Sequence, residues 1–434
     1  MSTVLKIDEV GTVITGKTPK TSVSEFWDGN LPFYTPSDMD GRRRLDGVKR
    51  YITEEGLKSV KNSVIPPNSV MVSCIGSDMG KVSLSVHHGV TNQQINTIIP
   101  NEEVVDFLYL YYSLLPRKSE LQMLASGGSA QPILNKGQFS QFEVVIPSLQ
   151  DQKAIAHILG TLDDKIELNQ KMNQTLEDIA KAIFKSWFVD FDPVRAKAEG
   201  RPTGLPSEIS DLFPDELVDL LIGEVPKGWN LASIDEACEK VYTGGTPSTK
   251  VPEYWGGSHG WLSSGETGSA FIIDTEKKIT EAGIENSSTK AALRFDTVIA
   301  SAGQGKTRGQ TSLLLLNTYV NQSVVTLRAK TEIGALLLFF NLSRRYEEFR
   351  RYSDSSSSRG SLTTTLLKEL PFVIPTERLT IVFHKAILPM VEKIELNLRE
   401  ILVLSELRDT LLPKLISGEL RISDAEKFLK KAGL

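Results

Sequence analysis

Gly303-Gln304-Gly305-Lys306-Thr307 has the residue types of a loop that cradles phosphate. The full phosphate-binding loop needs a glycine five residues before Gly305, and Ala300 stands there. It also needs a helix next, whereas residues 311–316 and 320–327 read as strands. A nuclease or nucleotide hydrolase using Lys306 is thus the enzyme alternative, and no ATP turnover is expected. Lys81, Lys306 and Arg308 suit phosphate contacts of a nucleic acid instead. Asn92-Gln93-Gln94 and Asn321-Gln322-Ser323 can pair with adenine edges or satisfy loop backbone, and both readings stand. The basic clusters Arg42-Arg43-Arg44, Arg344-Arg345 and Arg350-Arg351 are either solvated faces or phosphate contacts. His87 and His88 lack Cys or acidic residues at metal-ligand spacing. No Gly-x-Ser-x-Gly elbow occurs, nor the Asp/Asn-Pro-Pro-Tyr/Phe mark of an amino-methyltransferase; Ile65-Pro66-Pro67-Asn68 does not fit. The residues point to binding, not catalysis.

The candidate binding residues recur at a constant offset. Thr15-Gly16-Lys17-Thr18-Pro19 returns as Thr243-Gly244-Gly245-Thr246-Pro247, Ile146-Pro147 as Ile374-Pro375, and Lys165-Ile166-Glu167-Leu168-Asn169 unchanged from Lys393 to Asn397. The subtractions 243 − 15, 374 − 146 and 393 − 165 all give 228. Between residues 15–29 and 243–257, nine of fifteen positions are identical, including Trp27 and Trp255. That loop either meets DNA backbone or a partner, or is scaffolding whose Trp plugs the core; a shared scaffold explains the Trp identity better. The period far exceeds the 20–50 residues of a solenoid repeat. Two copies of one large unit are expected, each a globule followed by a helix.

The globules read as mixed α/β. Residues 70–75 and 94–99 predict strands, and residues 105–115 a helix stopped by Pro116. From residue 150 the pattern changes. Leu162, Ile166, Asn169, Asn173, Leu176, Ala180, Ile183 and Trp187 follow alternating steps of four and three, a coiled-coil seam. The second copy continues it with Ile394, Asn397, Ile401, Leu404, Arg408, Leu411 and Leu415. The two helices are expected to pair, with Asn169 and Asn397 at equivalent seam positions fixing register. A helix over residues 162–188 would be about 40 Å long, close to one turn of B-DNA. Residues 192–223 form a linker with a short amphipathic helix near 214–222, and Pro226-Lys227-Gly228-Trp229 opens the second globule.

At 434 residues, 40% apolar and 24% charged, each copy can bury its own core. Cys74 and Cys238 are the sole cysteines and fall at unrelated points of the repeat, which excludes a duplicated disulfide or metal site. They suit a reducing cytosol, and a cytoplasmic location is expected. No signal peptide or membrane-spanning run is read. The net charge of −5 does not by itself suggest nucleic acid, although much of the acid lies in residues 199–224.

Four stretches together resemble the specificity subunits of type I restriction–modification systems. Each globule opens on a Gly-x-Thr-Pro loop and closes on Ile-Pro. Phe184-Lys185-Ser186-Trp187-Phe188-Val189-Asp190-Phe191-Asp192-Pro193 is similar to the family's central signature. Pro226-Lys227-Gly228-Trp229 is similar to its second-domain start, and Leu411-Leu412-Pro413-Lys414-Leu415-Ile416-Ser417-Gly418-Glu419-Leu420 to its carboxy-terminal signature. Two departures occur: Asp151-Gln152 replaces the common Glu-Gln, and Glu377-Arg378 stands at the second equivalent place.

The resemblance implies an α/β (α+β) fold with a pseudo-twofold repeat. Two target-recognition domains, residues 1–150 and 225–375, would each read half of a split DNA site. Helical spacers at 151–190 and 376–434, with a linker at 191–224, would pair antiparallel and set the gap. It further implies two methyltransferase subunits, using S-adenosylmethionine, and a restriction subunit using ATP and Mg. None of these cofactors is expected on this chain. DNA-binding candidates are Lys17, Thr18, Lys20, Arg42, Arg43, Arg44, Ser77, Lys81, Asn92 and Gln93 in the first copy. In the second they are Lys250, Ser264, Gln304, Lys306, Arg308, Asn321 and Gln322. Leu162, Ile166, Asn169, Leu176, Ile183, Trp187, Ile394, Asn397, Ile401, Leu411 and Leu415 are scaffold candidates. Binding is expected to be weak for the chain alone and stronger and salt-sensitive in a complex. The alternative is a stand-alone two-headed regulator without methyltransferase partners.

Overall fold

A computed structural model describes residues 2–125, 133–220, 222–303, 305–355 and 360–431, without the side chains of Ser77, Ser355, Glu426 and residues 428–431. The chain divides into two units, Met1–Glu167 with Leu402–Leu434, and Leu168–Ile401. Both boundaries fall inside long helices, so each unit contains a globule and part of each helix.

Both units carry the same sheets. In the first, a five-stranded sheet has the order Gly11–Thr15, Ile95–Pro100, Val70–Ser73, Val82–Ser85, Arg44–Leu45. Its counterpart runs Cys238–Thr243, Val324–Ala329, Thr297–Ala300, Thr311–Leu314, Phe271–Ile272. A four-stranded sheet has the order Tyr51–Ile52, Trp27–Tyr34, Gly89–Thr91, Val64–Ile65. Its counterpart is Lys277–Ile279, Trp255–Leu262, Thr318–Val320, Lys290–Ala292. Even the strand directions repeat, with Trp27–Tyr34 parallel to Gly89–Thr91 and Trp255–Leu262 parallel to Thr318–Val320. The central strands Val70–Ser73 and Thr297–Ala300 are buried at every residue, which explains their unbroken runs of small and apolar side chains.

Each globule is closed by pairing its first strand with its last. Thr3–Lys6 runs antiparallel to Glu143–Ile146, with Thr3 opposite Ile146. Asn230–Ser233 runs antiparallel to Pro371–Ile374, with Asn230 opposite Ile374. The Ile-Pro steps therefore end a ladder, and proline suits that exit because it cannot donate to a further rung.

The long helices are Leu149–Phe188 and Glu377–Ser417. The first starts two residues before the expected helical segment at 151, because Ser148 caps it: Ser148 Oγ accepts the Asp151 amide at 3.2 Å. At 40 residues it is roughly 60 Å long. Antiparallel contacts occur within each unit. In the second, Asn169 Nδ2 donates to Glu400 (2.7 Å) and Asn397 Nδ2 to Asn173 (2.8 Å). In the first, Arg408 donates to Asp163 (2.7 Å). Leu162, Ile166, Asn169, Trp187, Ile394, Asn397, Leu411 and Leu415 are buried, and Leu176, Ile183 and Ile401 half-buried.

Two local readings are corrected. Among the described residues of 214–222 there is no helix. Leu217–Leu220 pairs antiparallel with Gly223–Pro226, and Gly223 at φ +105° supplies the left-handed backbone of the reversal. Pro116 does not end the helical path after Phe107–Leu114 either. It lies in a 3-10 turn, Leu115–Arg117, and Lys118–Ala125 follows as a helix, since proline is tolerated in a first turn.

Candidate nucleic-acid interface

The duplicated Thr-Gly loop follows the edge strand of each five-stranded sheet. Its glycine is required by close approach. A β-carbon at Gly16 would run into the carbonyl oxygens of Thr91 and Asn92, and one at Gly244 into that of Val320. Gly16→Ala and Gly244→Ala are each expected to destabilise their own unit by about 1–3 kcal/mol, because the obstacle is backbone. Urea unfolding of the variants would check this.

The next threonine holds the opposing turn. Thr18 Oγ1 donates to Gln93 Oε1 at 2.7 Å, and Thr246 Oγ1 to Gln322 Oε1 at 2.6 Å. The tryptophans lock the far end of the loop. Trp27 Nε1 donates to the Lys20 carbonyl and Trp255 Nε1 to the Ser248 carbonyl, both at 3.2 Å. Trp27 stacks edge-on with Phe33 (5.3 Å), and Trp255 with Trp261 (5.1 Å). Around this frame Lys17, Lys20 and Gln93 are exposed in the first unit, and Lys250 and Gln322 in the second.

The Asn and Gln of each pair differ. Asn92 Oδ1 accepts the Gln94 amide (3.0 Å), and Asn92 Nδ2 donates to Gln94 Oε1 (3.1 Å). Asn321 is buried and accepts the Ser323 amide (2.9 Å). The asparagines shape the turns, while the glutamines stand outside with their amide donors available for an acceptor.

The arginine cluster separates into three environments. Arg42 is exposed and paired with Asp40 (2.9 Å) and Asp46 (3.3 Å). Arg44 is half-buried over the Phe107 ring, 5.9 Å from its centre. Arg43 is buried, which corrects its reading as a surface contact: it pairs with Asp164 and Glu167 (3.0 Å) of the first long helix. Arg308 is corrected likewise, since it is spent on Asp354 and the Gly360 carbonyl. Lys81 pairs with Asp78 at 2.7 Å, and Ser264 is half-buried in a 3-10 turn. Gln304 and the Ser77 side chain lie outside the described residues. Lys306 is exposed beside a groove of about 690 Å³ that Arg350 and Arg351 also line, together with Glu347 and Asp354. A strand, Thr311–Leu314, follows the Gly303–Lys306 segment, so it opens no helix for phosphate.

The globules are mounted on the helices in chemically different ways. In the first unit Asp163 is buried; it accepts Tyr112 Oη (2.5 Å) and Arg408 (2.7 Å). Burial, with the Asp163 carboxylate beside it, pushes the Tyr112 phenol far above its ordinary value. Burial opposes the Arg43 charge, but the Asp164 hydrogen bond and nearby Tyr112 and Glu167 outweigh it and hold the guanidinium charged. In the second unit the +228 equivalents of Tyr112 and Asp163 are Phe340 and Val391, and the −228 equivalent of Arg408 is Ala180. All three lie in an apolar core with Phe184, Trp187, Phe188 and Phe383. The central signature is thus largely core: Phe184, Trp187, Phe188 and Phe191 are buried there.

Sequence reasoning missed Glu167, Glu395 and Arg294. Glu395 accepts Arg294 at 2.6 Å and Arg399 at 2.8 Å. Desolvation alone would raise its carboxyl, but hydrogen bonds from Arg294 and Arg399 hold it below the ordinary value. The signal available was the unchanged Lys-Ile-Glu-Leu-Asn, whose glutamates these are.

Among the described residues no three or more His, Cys, Asp or Glu gather as a metal site, and no helix is long and apolar enough to cross a membrane. Cys74 and Cys238 are buried, unpaired thiols.

The family described as the type I restriction modification DNA specificity domain matches residues 2–178. The chain is 27% identical over 425 residues to the type I restriction enzyme MjaIX specificity subunit of Methanocaldococcus jannaschii, covering 97% of this chain and 94% of that one. It is 27% identical over 428 residues to the HindI specificity subunit of Haemophilus influenzae, covering 88% and 90%. A type-I restriction-modification S subunit from M. genitalium shares the fold, with a TM-score of 0.61 at 16% identity over 96% of each chain. The family match covers the first copy, and the second repeats its sheets strand for strand. The chain belongs to the specificity subunits of type I restriction–modification systems.

Proposed function

We propose that this chain reads a split double-stranded DNA target, one half through each globule, and scaffolds two methyltransferase subunits and the restriction subunits. Residues 1–150 and 225–375 act as the recognition domains. The helical segments 151–190 and 376–434 set the gap between the halves of the target and dock the partners. S-adenosylmethionine, ATP and Mg belong to those partners. The supporting observation is one frame used twice with different trim. Thr18–Gln93 and Thr246–Gln322 repeat the same brace, while Lys17 and Lys20 are replaced by Gly245 and Ser248. A conserved frame with variable exposed side chains suits two readers of different sequences. Phosphate contacts from Lys17, Lys20, Lys250 and Lys306 would position the duplex, and Gln93 and Gln322 would meet base edges.

Mapping methylated adenines in host DNA tests the reading. The expected result is a two-part target with a fixed gap. Replacing residues 1–148 by another recognition domain should change one half alone, and lengthening the helix near Leu176 should change the gap alone. A contiguous target, or both halves changing in either experiment, would overturn it.

A further inference from the structure

The helices repeat a glutamate, and each copy of it takes an arginine from its own globule. Glu167 accepts Arg43 Nε at 3.0 Å in the first unit. Glu395, at 395 − 228 = 167, pairs with the Arg294 guanidinium at 2.6 Å in the second. The acceptors are equivalent, but the donors are not. Arg43 precedes the edge strand Arg44–Leu45, and its carbonyl accepts the Leu84 amide. The residue making that bond in the second unit is Ala270, which accepts the Leu313 amide. Arg294 comes instead from the turn before Thr297–Ala300, with its guanidinium also donating to the Leu315 carbonyl (2.9 Å). Two different parts of the globule have thus supplied an arginine to one repeated socket. Shared ancestry of the loops does not explain that; a shared requirement at the socket does.

We propose that Glu167 and Glu395 are matched positioning residues that set the orientation in which each globule presents its exposed loop to DNA. This rests on the reading of two recognition domains. A planar guanidinium held by a carboxylate fixes direction as well as distance. Each arginine is rooted in the five-stranded sheet or its turns. In the first unit the sheet runs from Arg44–Leu45 at one edge to Gly11–Thr15 at the other, and Gly11–Thr15 leads into the Lys17–Lys20 loop. A hydrogen-bonded sheet carries a tilt at one edge to the other, so a loosened socket misplaces the reading loop without touching DNA.

The test uses the full chain in its host's assembled modification complex. Glu167→Gln and Glu395→Gln are compared with wild type. The readout is the ratio of methylation at the cognate target to that at targets carrying one base change in one half. Glu167→Gln is expected to lower discrimination roughly tenfold in the half read by the first globule, the scale of one good base contact, and to leave the other half unchanged. Glu395→Gln should do the converse. Arg43→Lys and Arg294→Lys, which keep charge and lose the fork, provide the same test where a Gln variant does not fold. Folded variants that keep full discrimination, or that loosen both halves equally, would overturn the proposal. A wild-type target without two halves would instead overturn the two-domain reading itself.

Discussion

Asp163→Val should cost the first unit about 3 kcal/mol, more than its change of volume would suggest. The carboxylate is buried and accepts both Tyr112 and Arg408. Valine removes the acceptor that Tyr112 and Arg408 share, leaving the buried phenol only a long contact from Arg43 (3.5 Å) and Arg408 only Asp409 (2.8 Å), and removing one partner of a buried charge pair is expensive. The second unit carries a complete apolar solution, with Phe340, Val391 and Ala180 at the related positions. Adding Tyr112→Phe and Arg408→Ala to Asp163→Val should therefore recover most of the loss, because a matched apolar set replaces a matched polar one. Hydrogen exchange in the helix Phe107–Leu114 reads the effect locally. A neutral single variant, or a triple variant weaker than the single, would show that the network does not act as a unit.

Truncating Phe383 to alanine is expected to cost the second unit about 3–5 kcal/mol. Its ring is fully buried and meets Phe188 (5.0 Å), Phe184 (5.9 Å), Trp187 (6.2 Å) and Phe340 (6.2 Å). Neighbours this rigid close poorly over a lost ring, so a cavity remains. Four of the five tryptophans, Trp187, Trp229, Trp255 and Trp261, lie in this unit, so fluorescence-detected urea unfolding should show the midpoint fall. An unchanged midpoint would mean that the aromatic cluster does not carry the second unit's stability.

Much of the molecule was legible because duplication left a ruler in the chain. The constant offset located both loops, both Ile-Pro exits and both helices, and the coiled-coil period gave the buried seam. What failed was local. Arg43 reads as one of three surface cations, yet its partners lie over 120 residues away on a helix, beyond any local pattern. Residues 217–220 have apolar spacing that suits a helix, but a left-handed Gly223 turns them into a hairpin. Asn92 and Gln93 offer the same chemistry on paper. Only the turn geometry spends the first on backbone and leaves the second exposed.

The ladder that joins the first strand of each globule to its last has an evolutionary and practical meaning. Thr3 lies opposite Ile146, and Asn230 opposite Ile374. A globule whose two chain ends emerge side by side is a cassette: the chain enters and leaves it at a single seam. Exchanging one by recombination leaves the receiving backbone nearly unstretched, and the crossovers need only fall outside two short strands. What the newcomer must bring with it is an arginine placed for the waiting glutamate.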